Sequence, residues 1–433
     1  MAAAVLTAAY IREAAYRLGF DFCRTATVRP EHVHAAYLRQ WLAAGCHGDM
    51  GYLARNAWLR THPEQLTDAD GRPIRSVVVL GVDYHQGDLA REIQTDPSRG
   101  LIARYAWQPD YHEILKPRVY ALDREIRRCS GRRSRAKGWV DTGPVVERDW
   151  ALAAGLTFTG KNCCAIHPRR GSWLLLAVLC IPEDGLGELP VQAQIAAQPP
   201  VGVLAGLPRD LDLGIWTLPM DDATTARGTC GRCTRCLTAC PTDAFRGPLM
   251  LDARKCISYW TIEAKGAAPR ALRGQFGNRI FGCDICQEVC PWNRDLEPPP
   301  SPRIPELAAQ SRWTAPPLLE GFRADFPYWL ADEAFRERFR KSPVKRAKRV
   351  GMLRNVCTAL GNWGSVEAVP ALGQALRDSA AAVRQHAVWA LGQVWVRSGT
   401  AAARHLLQQC AAREEDAEVR RELTLALASA PRR

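Results

Sequence analysis

The sequence predicts an α+β multidomain protein: an α/β domain first, a small cysteine-rich domain next, and an all-α set of helical repeats at the end. Three observations predict it. Short β-branched runs alternate with helical periodicity over residues 1–185. Two cysteine runs, "CGRCTRCLTACP" (230–241) and "CDICQEVCP" (283–291), rhyme with each other. Three stretches of the tail align without gaps.

The first element is "MAAAVLTAAYIREAAYRLGF". It is apolar but lacks a basic leading region, and Arg12, Glu13 and Arg17 fall at helical spacing. It therefore reads as an amphipathic helix rather than a signal peptide. "RSVVVLGVDY" (75–84) reads as a buried strand, "DYHEILKPRVYALDREIRR" (110–128) as a helix, and "SWLLLAVLCIP" (172–182) as a second strand closed by proline. Residues 186–228 are rich in Pro, Gly and Ala without a clear period, and read as an irregular insertion or linker. Residues 229–300 carry the cysteines, and 301–350 form a proline-rich, then basic, linker with helices.

Residues 351–433 repeat. "MLRNVCTALG" (352–361), "VRQHAVWALG" (383–392) and "VRRELTLALA" (419–428) recur after 31 and then 36 residues. "VEAVPALGQALRD" (366–378) lies between the first two. These periods match stacked helix pairs, and the pattern resembles HEAT repeats. A plain helical cap is the simpler alternative.

The chain has 433 residues, 47% of them hydrophobic and 24% charged, with a formal charge of +13. Such an excess of Lys and Arg fits a polyanionic partner, although a solvated basic surface gives the same number. The densest basic run is "RERFRKSPVKRAKR" (336–349), where Arg340, Lys341, Lys345, Arg346, Lys348 and Arg349 are the candidate phosphate contacts. "RRCSGRRSRAK" (127–137) is a second basic stretch. No span approaches the roughly 20 apolar residues of a membrane helix, so the chain is expected off the membrane and in the cytoplasm. Sixteen cysteines, many of them clustered, read there as metal ligands rather than disulfides.

The spacing C-x2-C-x2-C-x3-C-P at Cys230, Cys233, Cys236 and Cys240 is that of bacterial ferredoxins, and four thiolates suit a [4Fe–4S] cluster. Paired cysteines also suit zinc, but a zinc site needs no two runs phased in this way. The second run supplies only Cys283, Cys286 and Cys290. Cys256 in "LDARKCISYW" lies between the runs and is the candidate for the missing ligand. By analogy with two-cluster ferredoxins, the last cysteine of each run serves the other cluster. The first cluster then takes Cys230, Cys233, Cys236 and Cys290, and the second takes Cys240, Cys256, Cys283 and Cys286.

Together with the cysteine runs, "LDARKCISYWTIE", "GNRIFGCDICQEVCPWNR", "AAGCHGDMGYLARN" (43–56), "RYAWQPDYHEIL" (104–115), "VDTGPVVERDWALAAGL" (140–156) and "GKN" with "GSW" (160–173) resemble the epoxyqueuosine reductase family in order and spacing. The resemblance runs from residue 5 to about residue 400. It implies reduction of epoxyqueuosine to queuosine at the wobble position of tRNA. It also implies a cobalamin bound base-off beside two [4Fe–4S] clusters, and no D-x-H-x-x-G signature for a histidine cobalt ligand occurs in the chain. Asp141 matches the family's proton donor; read without the family it is a turn or helix cap. Arg60, Tyr105, His112, Lys161 and Ser258 fall in motifs that face the cobalamin in that family, as does Asp141. The chain departs from the family in the long 186–228 segment, in "GKNCC" where "GKNT" is usual, and in Gln108–Pro109.

The resemblance further implies a tRNA partner, a low-potential electron donor such as ferredoxin or flavodoxin, and a monomer. The alternatives are a reductive dehalogenase-like enzyme acting on a small substrate, and a non-enzymatic electron-transfer or nucleic-acid-binding module. The basic repeats and the lack of a twin-arginine signal argue against the dehalogenase.

Overall fold

The computed structural model describes residues 5–30, 34–187, 229–294, 296, 298, 301–322 and 331–431. Apart from its first two residues, the insertion read at 186–228 lies outside them. The chain forms two compact units, each assembled from three segments. One comprises residues 1–87, 110–252 and 285–308; the other comprises 88–109, 253–284 and 309–433.

The first unit is built on a four-stranded sheet of β1 (Phe22–Thr27), β2 (Ser76–Asp83), β3 (Lys137–Trp139) and β4 (Leu174–Ile181), in the order β1-β2-β4-β3. All eight residues of β2 are buried, as its run of valines and leucine demands of a central strand. Val79 lies opposite Arg24 on one side and Val178 on the other. Every pairing in this sheet is antiparallel. This corrects the α/β expectation for residues 1–185, because the layer is α+β in type. Alternating strand and helix signals say nothing about strand direction, and a fully apolar run suits a central antiparallel strand as well as a parallel one.

Helices α1 (Ala8–Arg17), α2 (Tyr111–Ser130) and α3 (Glu147–Ala153) complete this unit's frame. Asp110 caps α2 by accepting the His112 N–H, and Gly131 ends it in the left-handed region at φ 74°. Its buried stripe is Leu115, Val119, Leu122 and Ile126, at helical spacing. Val145, Trp150, Ala151 and Ala154, in and around α3, pack with Val77, Val79, Val178 and Cys180 on one face of the sheet. Three of the six basic residues at 127–137, Arg127, Arg128 and Arg132, pair with acids of the unit. Buried Arg132 pairs with Asp123 at 2.6 Å and Glu183 at 2.6 Å, and Arg135 stacks on the Tyr120 ring at 3.8 Å.

The second unit ends in five helices: α4 (Lys348–Trp363), α5 (Val369–Ala375), α6 (Ala381–Ser398), α7 (Ala401–Ala411) and α8 (Ala417–Leu427). The three aligned stretches of the sequence fall on α4, α6 and α8, and α6 packs against both others. The repeated "ALG" explains how closely they approach. A Cβ on Gly361 would sit 2.8 Å from the Ala390 Cα, and one on Gly392 would sit 3.0 Å from the Ala426 Cβ. The first two repeats thus lay their glycines on the matching alanines of the next.

Buried polar side chains of α4 and α6 fasten the 253–284 segment. Arg354 donates to the carbonyls of Ala264 (2.8 Å), Gly266 (2.5 Å) and Trp260. Asn355 donates to Thr261 O and Ile280 O, each at 2.8 Å. His386 Nε2 accepts the Ala268 N–H at 3.1 Å, and its Nδ1 meets Thr358 Oγ1 at 2.7 Å. Among the described residues no helix is long and apolar enough to cross a membrane.

Candidate active site and cysteine cage

The loop between β3 and α3 carries Asp141. Its backbone is left-handed at φ 59°, a costly conformation for a residue with a Cβ. Three contacts hold it. The Asp141 N–H donates to Glu147 Oε1 at 3.1 Å, the Tyr111 hydroxyl donates to Asp141 Oδ2 at 2.8 Å, and Arg60 Nη2 donates to Gly143 O at 3.1 Å. Gly143 is needed where it stands, since a Cβ there would meet the Trp139 ring at 2.3 Å. The Asp141 residue itself is exposed.

Burial, and then the charge of Asp141, push the Glu147 carboxyl up to about 8. Glu147 therefore keeps its proton at neutral pH, one hydrogen bond away from the exposed aspartate. Sequence reasoning missed it because an acid in the first turn of a helix reads as a dipole partner. His112, in the first turn of α2, bonds Asp110 Oδ1 through Nδ1 at 2.8 Å and stacks on Tyr111 at 4.1 Å. Arg60 is 8% exposed, and its Nη1 is buried with no hydrogen-bond partner among the described residues.

Elsewhere in the same unit, Cys230, Cys233, Cys236 and Cys290 gather. Burial, and then the neighbouring thiolates of Cys230, Cys290, Cys233 and Cys164, push Cys236 up to about 12. Cys290 rises to about 11 for the same reasons. Thiols that raise one another in this way form a donor set that a cationic inorganic core relieves, so these four fit the first cluster. Backbone N–H groups point at two of the cysteine sulfurs: Lys161 N–H to Cys230 Sγ at 3.4 Å, and Ala244 N–H to Cys240 Sγ at 3.3 Å. The Lys161 ammonium donates to Gly231 O at 2.7 Å. Lys161 is thus bound to the first cysteine run. Cys240 and Cys286 share an apolar cluster with Leu237 and Phe245. Among the described residues no three Cys, His, Asp or Glu side chains form a site for a single metal ion.

The second unit holds Cys256, just before a π-helical turn at Tyr259–Glu263, and Cys283, packed with Ile257, Ala268 and Phe276. Tyr105 and Ser258 belong to this unit also; the Tyr105 ring lies 6.1 Å from Phe281. Of the six basic candidates, Arg340, Lys341, Lys345, Arg346 and Lys348 are exposed. Arg340 pairs with Glu337 at 3.1 Å, Arg346 with Glu263 at 2.8 Å, and half-buried Arg349 with Asp378. The basic run is therefore only partly available to an outside anion, because two of its arginines brace the fold.

The chain is 35% identical over 390 residues to an epoxyqueuosine reductase of Xanthomonas campestris pv. campestris, covering 89% of this chain and 96% of that one. The chain belongs to the epoxyqueuosine reductase family. An epoxyqueuosine reductase of Pseudomonas aeruginosa is 35% identical over 83% of this chain and 86% of its own. A family model described as "Epoxyqueuosine reductase QueG, DUF1730" matches residues 60–142, which take in Arg60, Tyr105, His112 and Asp141. A 4Fe-4S double cluster binding domain matches 229–293, and HEAT repeats match 350–428.

Solved epoxyqueuosine reductases agree with the fold. One, crystallised with an epoxyqueuosine-modified tRNA-Tyr stem loop, has a TM-score of 0.73 at 25% identity, with 96% of each chain covered. Another, from Bacillus subtilis with its catalytic aspartate loop swung out of the active site, has a TM-score of 0.74 at 25% identity, covering 96% of this chain and 97% of that one.

Proposed function

We propose that this chain reduces epoxyqueuosine to queuosine at the wobble position of tRNA, as a cytoplasmic monomer fed by a low-potential donor such as ferredoxin or flavodoxin. Opening the epoxide to an alkene takes two electrons and two protons and releases the oxygen as water. The observation that best supports the reading is the exposed Asp141 carboxyl, held left-handed in a stretch typical of the family.

Asp141 gives its proton to the departing oxygen, which is a poor leaving group until protonated. Tyr111 orients the carboxyl through Oδ2, and Glu147, holding a proton up to about pH 8, accepts the Asp141 N–H and adds no charge beside the loop in that range. Arg60 Nη1, which has no partner among the described residues, is a donor suited to an amide or phosphate oxygen, so Arg60, bonded to this loop at Gly143, fits a cobalamin side chain. His112, Tyr105 and Ser258 are further candidates to hold it, whereas the Lys161 ammonium is engaged with the cysteine run. Cobalamin, when bound, supplies a low-potential cobalt centre at which the two electrons meet the substrate.

Cys230, Cys233, Cys236 and Cys290 hold one [4Fe–4S] cluster, and Cys240, Cys256, Cys283 and Cys286 hold the other. N–H donors at the sulfurs of Cys230 and Cys240 bear on the potentials of both. Arg340, Lys341, Lys345 and Lys348 meet tRNA phosphates, together with Arg346 and Arg349, whose charge is shared with Glu263 and Asp378. The test is anaerobic turnover of epoxyqueuosine-containing tRNA with cobalamin and a low-potential reductant, read by nucleoside mass spectrometry. The alkene nucleoside is expected; its absence would overturn the reading.

A further inference from the structure

The two cysteines of the turn at 160–164, where "GKNCC" stands, have no part in the chemistry above, yet the turn is fastened to the cysteine runs. Besides the two Lys161 bonds, Asn162 Nδ2 donates to Cys286 O at 3.1 Å, and Leu249 N–H donates to Lys161 O at 3.0 Å. Short strands bracket the turn, with Phe158 opposite Ile166 and Thr159 opposite Ala165. Side chains alternate along a strand, so Cys164 shares a face with Ile166. That face forms an apolar cluster of Phe158, Ile166 and Cys290, against which Cys164, Cys230 and Trp292 pack. Cys163 differs: its backbone is left-handed at φ 64°, and its carbonyl accepts from Arg148.

We propose that Cys164 is a fifth thiol of the first iron–sulfur cage, a reserve ligand for the iron corner served by Cys290. It rests on the ligand set proposed above. In the exchange, the Cys290 sulfur leaves its iron and takes a proton. Cys164 Sγ gives up its proton and forms the new iron–sulfur bond. One thiolate replaces another, and no electron moves. The surroundings suit this role: the site is walled by Phe158, Ile166 and Trp292, and the turn is pinned to the cysteine run at Cys230 and Gly231, so little backbone movement is needed.

The experiment measures iron and acid-labile sulfide in the anaerobically reconstituted full chain. Wild type and Cys164→Ser are expected to hold about eight irons each. Cys290→Ala is expected to keep about eight, and Cys164→Ser/Cys290→Ala to fall about twofold, to about four. The second cluster's irons in the double variant report that the chain has folded. If Cys290→Ala itself falls to about four irons or fewer, the ligand set stands and the reserve role fails. If the double variant still holds about eight, Cys290 is not a ligand, and both the set and the reserve role fail.

Discussion

The helical repeats and the Asp141 loop both place a glycine where no Cβ fits, and for opposite ends. In the repeats, Gly361 and Gly392 occupy one register and let similar units stack, each glycine on an alanine of the next. In the loop, Gly143 lies against Trp139 so that its neighbour Asp141 can be held in a strained, exposed position by Tyr111 and Glu147. The stack gains stability by repetition. The loop concentrates strain at the proposed proton donor and depends on single contacts that occur once.

The largest expected effect breaks the loop side of this comparison. Asp141→Asn keeps the shape but holds no transferable acid proton, so turnover should fall by about 10²-fold or more, with iron content and the thermal midpoint unchanged. Retained turnover would make the strain structural rather than catalytic. Next is Glu147→Gln, whose amide oxygen still accepts the Asp141 N–H. In wild type the rate should decline as pH rises through about 8, where Glu147 loses its proton. In the variant that limb should vanish from the pH–rate profile; its persistence would assign the limb to another group.

Two smaller effects belong to the stack. Gly361→Ala forces a methyl against Trp389 and Ala390 and should cost about 1–3 kcal/mol of stability, read by denaturant unfolding, while activity per folded molecule stays the same. Acidification gives the other. Burial, then Arg273 and Arg354, hold His386 well below its ordinary value of 6.5. The unfolded chain therefore takes up this proton first, so His386's contribution is complete above about pH 6.5 and shrinks as pH falls below it. Hydrogen exchange should show the 381–398 helix losing protection between about pH 6.5 and about pH 5. Unchanged protection would mean that the ring is protonated without cost.

What the sequence disclosed follows from how local each signal is. The repeats were legible because a period of 31 to 36 residues displays itself in one dimension. The first cysteine run was legible because three of the first cluster's proposed ligands lie within seven residues. Strand direction in the sheet was not, since β2 is equally apolar toward both neighbours. Nor was the partnership of Glu147 with Asp141, which depends on a left-handed turn that no composition reveals. Charge counting overstated the basic run, because Glu263 and Asp378, far away in sequence, claim Arg346 and Arg349. The resemblance supplied Lys161 as a cofactor contact, whereas its ammonium reaches Gly231 across 70 residues of chain.

The interleaving of the two units bears on the order in which the protein forms at the ribosome. The four sheet strands are all made by residue 181, but this unit's last segment, residues 285–308, follows a piece of the other unit. Cys290 lies in that late segment, so the nascent chain carries Cys230, Cys233 and Cys236 for some fifty residues of synthesis before their fourth partner appears. Domains generally fold as they emerge, N-terminal parts first. The complete ligand set proposed for the first cluster therefore exists only once the chain has passed residue 290, and its thiols are open to oxidation until the iron–sulfur core is in place.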